Sequence, residues 1–275
     1  VSDRRKVLKQ RRQHPIIALK PRSRNSAHHG VHRSNETGPI DSKRAELLRR
    51  RAFNISQQWV TGDLTNALAA HVSAVVSTYS TERLACVCSC IDSLRNQTRP
   101  PAEILLVVEP DENLYQFYKS RMRRDIKVVA SKQHGLSNAR NTGVKSARLP
   151  IVAFIDDDAI ADRKWLENLV KNYDDPHVAA AGGVVIPIWE TSRPLWFPEE
   201  LDWIVGCSYK GLPQHRTYVR NVIGCNMSFR KDVIVSVGYF TPTIGRFRTE
   251  PMAAEEADLS IRVLARIRGS RIVYD

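Results

Sequence analysis

From about Ala67 onward, short and almost unbroken apolar runs alternate with longer segments whose apolar residues recur every three or four positions. His71 to Ser77 (HVSAVVS) predicts a buried strand. Ser80 and Thr81 are helix-capping residue types. Beyond them Leu84, Val87, Ile91 and Leu94 place an apolar stripe on a helix running to about Asn96. Pro100-Pro101 break the chain before Glu103 to Val108 (EILLVV), a second strand. Asn113 to Arg123 predicts a helix, Ile126 to Ala130 a strand, Leu136 to Ala147 a helix, and Ile151 to Ile155 (IVAFI) a fourth strand. Towards the end, Leu259 to Arg266 predicts a helix and Ile272-Val273-Tyr274 a strand. Strands separated by helices predict an α/β fold with a mostly parallel sheet. Unbroken apolar strands fit burial on both faces.

Such sheets bind ligands beyond the carboxyl ends of their strands. The four strands lead into Ser77-Thr78-Tyr79-Ser80, Glu109-Pro110-Asp111, Ser131 to Asn141, and Asp156-Asp157-Asp158. Three consecutive carboxylates after a buried strand repel one another unless a cation or hydrogen-bond donors offset them. A divalent ion with oxygen ligands does so and can also hold phosphates. In an extended chain Asp156 and Asp158 point the same way and reach one ion together. Gly135 to Gly143 (GLSNARNTG) joins a glycine turn to short polar side chains and a guanidinium able to meet a phosphate or a base. Glu255-Glu256-Ala257-Asp258 opens the late helix. It offers dipole partners, or a general base that takes a proton from an attacking hydroxyl.

Charge and composition narrow the picture further. The chain has 275 residues, of which 42% are apolar and 26% charged, and a formal charge of +13. Residues 1–56 hold 15 Lys/Arg against 4 Asp/Glu, whereas the remainder holds 27 against 25. The basic excess therefore belongs to an N-terminal segment too poor in apolar residues to offset its ordering entropy. That segment is expected to be a solvated tail, with a short helix at Ser42 to Phe53 and a contact with anionic lipid as its candidate features. Nucleic acid is not an expected partner, since the body is nearly neutral. Cys86, Cys88 and Cys90 lack the spacing of a zinc site. All five cysteines are expected to be buried or semi-buried thiols, and the odd count with no signal peptide favours a reducing compartment. The longest apolar run, Val178 to Ile188, is about half of the roughly 20 residues a membrane helix needs. The stretch Trp189 to Pro213 carries Pro194-Leu195-Trp196-Phe197-Pro198 and Trp203. It is either a loop tucked under the core or a surface for sugars or lipid chains, with Trp196 as its acceptor-side candidate.

Taken in order, the segments from Val72 to Ser80, EILLVVE, GLSNARNTG, FIDDD, GCNMSFRKDVIVSVGYF and EEADLSIRV resemble the family 2 glycosyltransferases of GT-A fold. The resemblance covers about residues 71–275. FIDDD is similar to the family's F-x-D-x-D segment, EEAD to its E-D-x-D motif, and GCNMSFR to its G-x-N-x-x-x-R segment. It implies a Rossmann-like sheet in a domain over 67–275, with a donor half at about 67–160 and an acceptor half at about 161–275, behind a basic segment at 1–66. It implies inverting transfer of a sugar from a UDP- or GDP-linked donor to a hydroxyl, on a lipid-linked or cell-surface glycan. Thr78, Tyr79, Glu82, Glu109, Asn138, Arg140, Asp156 and Asp157 then contact the nucleotide-sugar. Asp158, with Asp156, holds Mn or Mg. Asn226 and Asp258 lie on the acceptor side. Glu256 is the general base, with Glu255 beside it. Glu109 and Glu256 stand where the family usually has Asp. The expected location is the cytoplasm, at the inner face of the cell membrane. The strand running up to Asp275 leads to the expectation of further chain, carrying the family's metal-binding His and a membrane segment.

Two other readings compete. A sugar-nucleotide nucleotidyltransferase needs a Gly-rich basic loop after the first strand, and Ser77 to Arg83 contains no glycine. A non-catalytic polyanion- or membrane-binding protein acting through residues 1–56 has no use for the strand-tip carboxylates.

Overall fold

The computed structural model of the chain describes residues 17–19, 72–246 and 254–275. The expected helix at Ser42 to Phe53 lies outside them. Strands β1 (Ile17–Leu19) and β2 (Val72–Thr78) come first. A 3-10 turn at Thr81–Arg83 leads into helix α1 (Leu84–Arg95). Then follow β3 (Glu103–Val108), α2 (Glu112–Arg121), β4 (Ile126–Ala130), α3 (Leu136–Ser146) and β5 (Ile151–Asp156). After these come β6 (Ala159–Ala161), α4 (Trp165–Val170), β7 (Val178–Gly182), β8 (Val185–Pro187), β9 (Thr217–Tyr218) and β10 (Met227–Arg230). Helices α5 (Lys231–Ser236) and α6 (Glu255–Arg266) and strand β11 (Arg271–Tyr274) complete the order.

The main sheet has eight strands in the order β4-β3-β2-β5-β10-β7-β11-β9. Strands β4, β3, β2 and β5 are mutually parallel. Strand β10 runs antiparallel between β5 and β7, and β9 antiparallel to β11, so the sheet is mostly parallel, as expected. Within the basic N-terminal segment, β1 forms a small second sheet between β6 and β8.

Alternate residues along each strand bury into opposite layers. Val72, Ala74 and Val76 of β2, with Ile104, Leu106 and Val108 of β3, pack beneath α1, α2 and α4. Val75, Leu105, Val107, Val152 and Phe154 pack beneath α3, α5 and α6. Both faces are dry, which is why these strands read as continuous apolar runs. Helix α1 buries Val87, Cys90, Ile91 and Leu94, one stripe at helical spacing. Its other face corrects one expectation, because Cys88 is exposed, whereas Cys86 is half-buried as expected; all five cysteines are free thiols.

Gly143 lets α3 lie close on the sheet. A Cβ there would come within 2.5 Å of Val75 Cγ1 in the middle of β2. Gly143→Ala is expected to cost about 1–3 kcal/mol by overpacking, read as a lowered midpoint in urea unfolding.

Candidate active site

The carboxyl ends of β2, β3 and β5 deliver Thr78, Glu109 and Asp156 to one edge of the sheet. Thr78 is buried and Tyr79 projects into solvent. Glu82 sits on the exposed side of the following turn, whose first amide is capped by Ser80 Oγ (3.2 Å). Glu109 organises the loop ahead of α3. Its Oε2 lies 2.7 Å from His134 Nδ1, and its carboxylate accepts from the Gly135 amide at 3.1 and 3.3 Å. Gly135 takes a φ of 105°, a backbone region that favours glycine. Asn138 closes the same loop by donating to the His134 carbonyl (2.8 Å).

The three strand-tip carboxylates divide between two arginines. Asp157 is almost fully buried, and both its oxygens accept from Arg83: Nε to Oδ2 and Nη2 to Oδ1, each 2.6 Å. Arg83 Nη2 also lies 2.8 Å from Asp158 Oδ2. Burial opposes the Arg83 charge, but Asp157 and Asp158 more than offset it, and the guanidinium stays protonated. Asp156 keeps about a quarter of its side chain exposed at the cleft. Its Oδ1 lies 3.5 Å from Arg140 Nη2.

Arg140 joins the two acidic motifs. Its side chain is only 3% exposed. It pairs with Glu255 at the start of α6, approaches Asp156 at the end of β5, and donates to the Gly224 carbonyl (3.0 Å). Burial works against its charge, and Glu255, Asp156 and Glu256 overcome that penalty, so it remains a cation. Gly224 leaves room for this approach: a Cβ there would sit 3.1 Å from Arg140 Nη2 and 3.5 Å from the Glu256 carboxyl carbon. Ser137 at the start of α3 donates to the Ile244 carbonyl (2.5 Å), which ties the chain at Ile244 to the start of α3. Burial pushes the Glu256 carboxyl above the ordinary carboxylate range. Glu255 and Asp156 push the same way, and Arg140 opposes them. Of the two helix-start glutamates, Glu255 is therefore tied to a counter-cation.

Other acceptor-side candidates lie further out. Asn226 is fully buried. Its Oδ1 accepts from Trp165 Nε1 (2.8 Å) and its amide donates to the Val184 carbonyl (3.0 Å). Asp258, most of a turn into α6, accepts from Thr241 (2.7 Å) and pairs with Arg262 (2.7 Å). In the 189–213 segment Phe197 is buried against Trp189, whereas Leu195 and Trp196 are exposed. A cavity of about 540 Å³ opens between β8, this segment and the end of β11, lined by Arg193, Tyr209, Lys210, His215 and Tyr274 among others.

Sequence reasoning did not single out Arg83, and met Gly224 only as the first residue of the GCNMSFR segment. The need of three adjacent carboxylates for a cation pointed to some partner. Only the fold shows that a side chain 74 residues away supplies it.

Among the described residues, no group of three or more His, Cys, Asp or Glu surrounds a common cation position. Asp156 and Asp158 still suit a divalent ion, because such ions commonly take one or two carboxylates and draw their other ligands from substrate phosphates and water.

A doubly covered, mostly parallel sheet, strand-tip aspartates at its carboxyl edge and an acidic helix start facing them define a GT-A fold of the kind that handles nucleotide-sugars. Residues 73–238 match the family described as glycosyl transferase family 2, and the chain belongs to it. It is 36% identical over 208 residues to the glucosyl-dolichyl phosphate glucuronosyltransferase of Haloferax volcanii, covering 74% of this chain and 66% of that relative. The fold is similar to that of the mannosyltransferase PcManGT from Pyrobaculum calidifontis in complex with GDP-Man and Mn2+. There the TM-score is 0.51 at 17% identity, over 83% of this chain and 68% of that one. It is also similar to GalNAc-T7 with UDP, GalNAc and Mn2+, at a TM-score of 0.54 and 12% identity, over 94% of this chain and 56% of that one. No helix among the described residues is long and apolar enough to cross a membrane.

Proposed function

We propose that the protein is an inverting glycosyltransferase that moves a sugar from a UDP- or GDP-linked donor to a hydroxyl of a lipid-linked glycan. The observation that carries this reading is the Arg140 bridge, which brings the tip of β5 and the start of α6 to one cleft. The lipid-linked acceptor is supported by the Haloferax relative, a glucosyl-dolichyl phosphate glucuronosyltransferase. It fits action at the inner face of the cell membrane, with the basic segment touching anionic lipid.

The donor nucleotide lies along Thr78, Tyr79, Glu82, Glu109 and Asn138, with its ribose near Asp156. Asp158, helped by Asp156, would hold Mn2+ or Mg2+, which would supply positive charge against the leaving diphosphate. Asp157 supports this edge through Arg83, and Arg140 supports it from beneath. Glu256 accepts the proton of the acceptor hydroxyl. The hydroxyl oxygen bonds to the anomeric carbon on the face opposite the diphosphate, and the carbon–oxygen bond to the diphosphate breaks. A single displacement inverts the configuration and needs one base, unlike the paired carboxyl groups of glycoside hydrolysis. Asn226 and Asp258 serve the acceptor side by fixing the elements around it, and Trp196 offers an exposed aromatic face to sugar or lipid. The domain boundary lies at about residue 67, with β1 of the basic segment reaching across to pair with β6 and β8.

Thermal-shift measurements with UDP-, GDP- and dTDP-sugars, with and without Mn2+, test the donor site. A metal-dependent rise in melting temperature with one nucleotide class is expected. A ligand at 100 times its Kd stabilises by about 2.7 kcal/mol. Asp158→Asn is expected to remove the metal-dependent part. If no nucleotide-sugar raises the melting temperature under any metal, the donor-site assignment fails.

A further inference from the structure

The three carboxylates at the tip of β5 come already equipped with a cation. Arg83 gives Asp157 two 2.6 Å hydrogen bonds from separate nitrogens, and that carboxylate is almost fully buried. This half of the contact is a closed, bidentate pair. The other half is different in kind. Nη2 already donates to Asp157 Oδ1, and the same nitrogen lies 2.8 Å from Asp158 Oδ2. One guanidinium nitrogen therefore serves two carboxylates. The Asp158 share can be released while both bonds to Asp157 persist. Around the guanidinium, the Tyr79 ring lies 5.2 Å from Arg83 Cζ and the Tyr79 hydroxyl 3.5 Å from Nη1, so the side chain packs on the exposed wall of the cleft.

We propose that Arg83 is a built-in counter-cation that competes with the donor's divalent ion for Asp158. The inference rests on the donor-site reading above and adds to it how the metal site is regulated. Asp156, Asp157 and Asp158 cannot all carry charge side by side without an offset. Arg83 provides the offset while the cleft is empty, on the outer side, as Arg140 does for Asp156 beneath. When a divalent ion with its diphosphate arrives, two cations face one carboxylate. Their repulsion releases Nη2 from Asp158, while Asp157 keeps the arginine in place. Affinity for the bare ion is thereby held down, and tight binding waits for the diphosphate, whose own oxygens complete the coordination. Arg83 is a positioning residue in this account. It acts through Asp158.

The test measures Mn2+ binding by the paramagnetic signal of the free ion, for the wild type, Arg83→Gln and Arg83→Lys, each alone and with UDP or GDP. Arg83→Gln is expected to bind Mn2+ alone roughly tenfold more tightly, the size of effect that one charge beside a carboxylate has on its proton affinity. Its melting temperature in EDTA is expected to fall and to recover with Mn2+. Arg83→Lys, an ammonium without the fork, is expected to lie between. It decides the matter if the glutamine variant does not fold. Unchanged or weaker Mn2+ binding in the variants, with the wild type binding normally, overturns the competition and leaves the donor site standing. A wild type that takes up no Mn2+ with either nucleotide overturns the donor-site reading, and the competition falls with it.

Discussion

Glu256→Gln is expected to lower turnover by about 10²- to 10⁴-fold, the usual worth of a positioned general base, while donor affinity stays near that of the wild type. The amide keeps the shape of the side chain and cannot accept the hydroxyl proton. Burial first, and then the neighbouring Glu255, raise the pKa of Glu256. The wild-type rate should therefore fall on acidification at a pH above the ordinary glutamate range. A stability effect of opposite sign accompanies the loss of activity. The folded protein holds the Glu256 proton more tightly than the unfolded chain does. The corresponding stabilisation is complete below the unfolded pKa and is lost as pH rises through the folded one. At neutral pH the ionised carboxylate thus costs stability, and Glu256→Gln should melt above the wild type. That advantage should vanish in acid, where both side chains are neutral. Steady-state rates and melting curves across the same pH series check both halves. Near-normal turnover in this variant would move the base to Glu255 or Asp258.

Arg140→Met is expected to destabilise the protein by about 3–5 kcal/mol, the cost of leaving a buried partner charge uncompensated. Glu255 is almost completely buried and faces this guanidinium. Without it, the buried Glu255 carboxylate is left without its counter-ion, and Asp156 and Glu256 lose the same counter-charge. Equilibrium urea unfolding measures the loss. The double variant Arg140→Met with Glu255→Gln should recover part of it, because the stranded charge is then gone. If Arg140→Met unfolds at the wild-type urea concentration, the ion pair does not hold α6 against the sheet. Arg140→Lys keeps the charge but not the fork that reaches Glu255, Gly224 and Asp156 together. It should fold, and yet bind donor less tightly.

Much of the parallel half of the sheet was legible in the sequence alone. The runs at β2, β3 and β5 are apolar at most buried positions, with Ser73, Thr78 and Glu103 the polar exceptions, so their period is a local property of the chain. Helix α1 shows the same economy, with Val87, Ile91 and Leu94 buried as their spacing predicts. Strand β10 was not legible as a strand. It has four residues, and two of them, Ser228 and Arg230, are polar yet buried. Ser228 donates to the Ala181 carbonyl and accepts from Tyr173, and Arg230 donates to the carbonyls of Val178 and Tyr173. Those partners lie more than 40 residues away, so no local pattern announces that the polar groups are satisfied. The antiparallel insertion of β10 between β5 and β7 was therefore invisible in one dimension.

The candidate site divides along the same line. Chain order alone determined that acidic groups follow buried strands and that a glutamate pair opens the last helix, because each motif is a few adjacent residues with a chemical need of their own. Tertiary structure decided which cation answers which carboxylate: Arg83 for Asp157 and Asp158, Arg140 for Glu255 and Asp156. It also decided that Glu255 is the glutamate paired with Arg140 and that burial raises the pKa of Glu256. Charge pairing and burial depend on distances through space, and residues 74 and 115 positions apart meet only once the sheet has brought its carboxyl edge together.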